Sequence, residues 1–222
     1  MLNCKKSTIA ILDSGIGGLS VLKQLITKHK TGNYIYFVDN LHMPYGNKNQ
    51  KWLKKRVNEI ICKLKQVYKA DEIIIACNTA STCIDHKQKN IHKMKFDLNK
   101  TYYATYLTKT NLPEHNIIAD KTLAKKIENN ILNTDKLRKI ISHHVKQHKL
   151  YMFKELVLGC THYELVKNMF EEICPKTTIL NNSNYLIEHL TPTTHNELNI
   201  VVIMSKKSKE LEDKIKKVLE LN

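Results

Sequence analysis

Two stretches of this chain place a cysteine in nearly the same setting: Ile73-Ile74-Ile75-Ala76-Cys77-Asn78-Thr79 and Leu156-Val157-Leu158-Gly159-Cys160-Thr161-His162. In each, an acid (Glu72 or Glu155) precedes an apolar run, a small residue follows it, and the cysteine leads a pair of hydrogen-bonding side chains. A short apolar run bounded by polar residues reads as a buried strand, which puts each cysteine at a strand's carboxyl end. Open α/β sheets build their sites there. Two such strands facing one another across a cleft would set two thiols on opposite sides of one small ligand, an arrangement suited to proton transfer at carbon. A thiol with a reference pKa of roughly 8.5 is mostly protonated at neutral pH, so this chemistry needs assistance. His162 stands two residues after Cys160, and Asp13 ends another apolar run, giving each thiol a candidate proton-handling partner.

Asp13-Ser14-Gly15-Ile16-Gly17-Gly18 is a tight strand-to-helix turn whose glycine spacing fits neither the dinucleotide nor the P-loop pattern. Its Asp-Ser pair at a strand end, beside helix amides that favour an anion, points to a small-ligand contact. Asp39 ends a second strand and leads into the loop of Pro44-Tyr45-Gly46. Cys4, Cys62, Cys83 and Cys174 lack the paired setting and are read as small buried hydrophobes. His143-His144 and His148 have no accompanying acid or cysteine pattern, and no metal site is assigned to them.

These residues need elements to position them. Apolar runs predict strands at 9–12, 34–38, 73–76, 102–107, 156–159, 178–180 and 199–204, and periodic stripes predict helices from 19, over 50–69, 163–173, 183–190 and 206–220. Residues 120–148 read as one or two helices, and the Lys-rich stretch 86–100 carries no pattern. Strands alternating with helices call for parallel sheets. The cysteines lie 83 residues apart, which suits one in each of two similar halves. The fold class expected is α/β, with two similar three-layer domains of mainly parallel sheet related by a pseudo-twofold and the site in the cleft between them. Residues 1–88 plus 191–222 would form the Cys77 domain and 89–190 the Cys160 domain.

With 222 residues, 42% hydrophobic and 26% charged, the chain has the composition of a globular protein, and no apolar stretch approaches a membrane span. Its N-terminus lacks the apolar core of a signal peptide, so a cytoplasmic location is expected. Six dilute cysteines without Cys-x-x-Cys spacing fit free thiols rather than a disulfide scaffold or a zinc site. The net charge of +15 is spread over every segment and is not interleaved with aromatics, which argues against a nucleic-acid partner.

Taken together, four ordered motifs resemble glutamate racemase of the aspartate/glutamate racemase superfamily. They are Asp13 through Val21, Asp39 through Pro44-Tyr45-Gly46, Ala76-Cys77-Asn78-Thr79-Ala80-Ser81, and Leu158-Gly159-Cys160-Thr161-His162-Tyr163. Ala104-Thr105 with Thr108 resembles the family's Thr-bearing strand, and Leu123 to Glu128 resembles the segment holding its active-site glutamate. The second domain is shortened around 86–100 and between Thr108 and Glu128. The resemblance implies a two-base mechanism without pyridoxal phosphate or metal, and therefore no cofactor. Cys77, assisted by Asp13, and Cys160, assisted by His162 and Glu128, would exchange the α-proton of glutamate. Asp13, Ser14, Pro44, Tyr45, Gly46, Asn78, Thr79, Thr105, Thr108, Thr161 and His162 would hold the substrate. It also implies supply of D-glutamate for peptidoglycan and a homodimer. Two rivals are kept: an aspartate racemase or related two-cysteine enzyme, and a non-catalytic remnant with a basic partner-binding surface.

Overall fold

Strands covered on both faces must be apolar at every position, and the runs Ile9–Leu12 and Ile73–Ile75 meet that condition. In the computed structural model, which describes residues 7–84, 89–188, 190 and 197–220, both runs are buried strands. The strands are β1 (Thr8–Asp13), β2 (Gly32–Val38), β3 (Glu72–Ile75), β4 (Ile91–Lys93), β5 (Thr101–Thr105), β6 (Asn116–Asp120), β7 (Glu155–Gly159), β8 (Thr178–Asn181) and β9 (Leu198–Met204). The helices are α1 (Leu19–His29), α2 (Gln50–Gln66), α3 (Asn78–Ser81), α4 (Tyr106–Asn111), α5 (Leu123–Asn130), α6 (Thr134–Gln147), α7 (Thr161–Glu164), α8 (Lys167–Ile173), α9 (Asn184–Glu188) and α10 (Lys209–Glu220).

The strands form two sheets, ordered β4-β3-β1-β2-β9 and β6-β5-β7-β8, with every pairing parallel. Successive side chains leave a strand on opposite faces, and the first sheet sorts them into two clusters. Ile9, Ile11 and Ile74 pack with α1 and with Leu211, Ile215 and Val218 of α10. Ala10, Leu12, Ile73 and Ile75 pack with Leu53, Val57, Ile60, Ile61 and Leu64 of α2. The second sheet is lopsided. One face carries Tyr103, Leu156, Leu158 and Ile179 under α5, α6 and α8, whereas among the described residues the buried cluster on the other is Tyr102, Ala104, Ile117 and Val157. Among the described residues no helix is long and apolar enough to cross a membrane.

Several elements differ from the sequence reading, each for a local reason. The strand expected over 102–107 ends at Thr105, whose hydroxyl accepts from the Thr108 amide and starts α4, so Tyr106 and Leu107 are helical. The helix expected over 163–173 begins at Thr161 and breaks between α7 and α8. That break turns Val166 into the second core and lets Leu165 pack against both halves. Edge strands β4 and β6 carried too few buried residues to stand out. Cys83 and Cys174 are buried as expected, Cys62 is exposed on the polar side of α2, and Cys4 lies outside the described residues.

Candidate active site

Each site cysteine sits where a strand hands over to a one-turn helix. Cys77 precedes α3 just beyond β3, and Cys160 precedes α7 directly after β7. Both are buried, and both line one cleft between the sheets with Ser14, Pro44, Tyr45, Gly46, Asn78, Thr79, Thr105, Thr161 and His162. The cavity they enclose measures about 20 Å³, room for a single water. A molecule the size of an amino acid does not fit in it.

The glycines of the Asp13–Gly18 turn explain how the halves come this close. A Cβ on Gly17 would lie 2.5 Å from Thr161 Oγ1 and 2.7 Å from His162 Nδ1, so only glycine admits the α7 turn. Gly46 plays the same part opposite Thr105, where an added Cβ would come within 2.9 Å of the threonine Cβ. The glycines serve close packing across the cleft.

Polar contacts then cross from one half to the other. Asp13 Oδ2 accepts from Thr161 Oγ1 at 3.0 Å and Oδ1 accepts from the Gly15 amide at 2.9 Å, so its carboxylate is occupied on both sides. Ser14 Oγ is 4.0 Å from Cys77 Sγ. Thr79, Thr105 and Thr108 form a triangle of hydroxyls at 2.8, 3.1 and 2.9 Å, joining α3 to the β5–α4 corner. Glu128, on α5, accepts from His162 Nε2 at 2.6 Å and from the Ile16 amide at 3.0 Å. Asp13, Thr108 and Glu128 thus stand directly behind the residues that line the cleft.

Burial and neighbouring charge set the protonation of these groups in opposite senses. Burial pushes the Cys77 thiol well above its ordinary pKa, and the nearby Asp13 carboxylate pushes it further. Asp13 is itself raised by burial, against the opposing pull of His162. At His162 burial disfavours the charged ring, but hydrogen bonds to Cys160 and Glu128 outweigh it and raise the pKa well above the ordinary histidine value. Glu128 is lowered because its bonds to His162 and Ile16 overcome burial. His162 and Glu128 therefore form a charged pair behind Cys160.

Four further groups were not singled out in the sequence. Arg56, on α2, clamps buried Asp39 through Nε at 2.9 Å and Nη2 at 2.7 Å, while the Tyr45 hydroxyl donates to the same carboxylate at 2.7 Å and His42 Nδ1 lies 3.1 Å away. These bonds outweigh burial and hold Asp39 far below the usual carboxylate range, fixing the Pro44–Gly46 loop from behind. An arginine on the polar side of a Lys-rich helix looks like any solvated cation. Asn182 Nδ2 donates to Asn78 Oδ1 at 2.7 Å, leaving Asn78 Nδ2 buried without a partner among the described residues. Its place just past β8 was the available clue, since strand ends build sites. Glu164 accepts from Ser20 Oγ, Ser183 Oγ and the Ser183 amide, and burial raises it to about 7. Asp120, at the end of β6, gathers His144 and His148.

No protein-family model matches the chain. Curated relatives do. The glutamate racemase of Buchnera aphidicola subsp. Schizaphis graminum is 30% identical over 201 residues, covering 75% of this chain and 76% of its own. That of Buchnera aphidicola subsp. Acyrthosiphon pisum (strain APS) is 32% identical over 202 residues, covering 75% of each. The chain belongs to the glutamate racemase family. Solved glutamate racemases share the fold: one isoform from Bacillus anthracis superposes with a TM-score of 0.78 over 98% of this chain and 96% of its own at 21% identity. The Escherichia coli enzyme, solved with L-glutamate and the activator UDP-MurNAc-Ala, gives 0.74 over 97% and 94%, also at 21% identity. The parallel two-sheet α/β architecture expected from the sequence is thus the architecture of glutamate racemases.

Proposed function

We propose that this chain interconverts L- and D-glutamate, with Cys77 and Cys160 as opposed acid–base groups. The observation that carries the reading is that both thiols line a single closed cleft in a chain of this family. One sulfur, as thiolate, takes the α-proton; the electron pair left on carbon spreads into the adjacent carboxylate. The other thiol gives its proton to the opposite face of that carbon, so the product is the mirror-image amino acid and the two sulfurs have exchanged roles. At rest the raised Cys77 thiol suits the proton donor, and the His162–Glu128 pair places a counter-charge beside Cys160. Asp13 acts on Cys77 through charge.

The Asn78 amide, unpartnered among the described residues, supplies a buried donor for a substrate carboxylate, with Ser14, Thr79, Thr105, Thr161 and the Tyr45-Gly46 amides around it. Thr108 holds Thr79 and Thr105 in place. Fixed dipoles in a closed cavity stabilise the developing carbanion where bulk water would quench it. We assign β1–β4 with β9 and α10 to one domain and β5–β8 with their helices to a second, so that substrate entry is their separation. The D-glutamate formed would serve peptidoglycan synthesis, in a cytoplasmic protein assembling as a homodimer. Incubation with L-glutamate in deuterated water tests the reading: deuterium enters the α-position and D-glutamate accumulates. Absence of exchange at every substrate concentration overturns it, and exchange of aspartate alone reassigns the substrate.

A further inference from the structure

We propose that Asp120, His144 and His148 form a binding site for a divalent transition-metal cation, zinc being the best match, outside the cysteine cleft. Read in sequence, the histidines lacked an acid; the fold supplies one from 24 residues away. Asp120 Oδ2, His144 Nδ1 and His148 Nε2 converge, the carboxylate oxygen lying 2.7 Å from the first ring and 3.0 Å from the second. All three ligating atoms lie within 4.8 Å of one another.

The architecture behind this trio suits a cation. His144 and His148 are four residues apart on α6 and its C-terminal cap, so both rings leave the same side of the helix. His148 sits at the negative end of that helix dipole. Asp120 divides its work: Oδ1 accepts from the amides of Thr122 and Leu123 at 2.6 and 2.7 Å, which fixes the carboxylate and leaves Oδ2 facing the rings. Such outer contacts orient a ligand before a metal arrives. Asp120 and His144 are buried, and the His148 side chain, 18% exposed, gives the route of entry. The Tyr103 hydroxyl, 3.3 Å from Oδ2, closes the floor. Two imidazoles and one carboxylate select zinc-like cations over calcium or magnesium, and leave a fourth position for water.

One neighbour opposes the cation. Lys126 Nζ lies 3.0 Å from His144 Nε2. Metal on Nδ1 moves the ring proton to Nε2, so Lys126 must withdraw, which its long, half-buried side chain permits. Bound metal would tie α6 to the strand end that starts α5, the helix carrying Glu128.

Cobalt(II), a coloured stand-in for zinc, separates this site from the thiols. Titration of the full chain is expected to saturate at one equivalent with a spectrum of nitrogen and oxygen ligands, without the intense near-ultraviolet band of cobalt–thiolate. H148Q, a change at the exposed rim, should weaken binding more than about tenfold, as should D120N, and K126Q should tighten it. Circular dichroism identifies any variant that fails to fold, and H148Q then decides. No saturable binding, a purely thiolate-ligated spectrum, or affinity unchanged in H148Q overturns the proposal.

Discussion

The turns after the two cysteines share a backbone plan and differ at matching positions. Asn78 answers to Thr161, Thr79 to His162, and Ser81 to Glu164. On the Cys77 side the contacts are uncharged hydroxyls: Thr79 joins Thr105 and Thr108, and Ser81 ties Ile75 to Met94 across the sheet. On the Cys160 side the same places carry ionisable groups, with His162 paired to Glu128 and Glu164 buried against Ser20 and Ser183. A repeated scaffold has thus been given opposite electrostatics. Burial beside Asp13 keeps one thiol protonated, and a ring that holds its proton faces the other. A two-base reaction needs that inequality, because at any instant one group must lack the proton the other carries.

Replacing the sulfurs tests the inequality most severely. Cys77→Ser and Cys160→Ser should each cut racemisation by about 10² to 10⁴-fold. The two should differ in α-deuterium exchange, one variant keeping exchange from L-glutamate and the other from D-glutamate. Variants with the same residual exchange from both enantiomers would break the two-face comparison.

Glu128→Gln probes the charged side alone. His162 stands raised largely through Glu128 and Cys160, so loss of the carboxylate lowers its pKa and the ring gives up its proton at lower pH. The alkaline limb of the kcat/KM profile should move acidward, and once its midpoint lies below 7 each further fall of one in that midpoint costs roughly tenfold in activity at pH 7. A profile in the wild-type position would detach Glu128 from Cys160.

Glu164 against Ser81 gives the smallest effect, one on stability. Glu164 has a folded pKa of about 7 against 4.5 for the free group, so the folded state holds its proton more tightly. Below pH 4.5 both states are protonated; stability then falls as pH rises toward 7 and stays lower above it. Glu164→Gln should remove this slope in urea unfolding measured across that range and recover at most about 3 kcal/mol above neutrality. An unchanged slope would place the titration elsewhere.

Much of this was legible in the chain because it is local. Ile73–Ile75 and Leu156–Leu158 are buried strands, as their short length, aliphatic content and flanking polar residues indicate. Pro44-Tyr45-Gly46 and Asp13–Gly18 fall where turn chemistry puts them, at the ends of β2 and β1. What escaped notice depends on distant partners. Arg56 gains meaning only from Asp39, Asn182 only from Asn78, and the edge strands β4 and β6 exist by pairing with β3 and β5.

The sequence by itself determined where each thiol stands relative to its own strand and helix, because strand length, a small residue and the following turn act within a few residues. Only the tertiary structure decided how groups distant in the chain meet around them. Glu128 reaches the Ile16 amide across 112 residues, and Thr161 reaches Asp13 across 148. Asp120 likewise turns two helix histidines into a ligand trio. The first two follow from how the halves pack across the cleft, with glycine at the closest approaches, and the third from α6 folding back onto the end of β6 within one half.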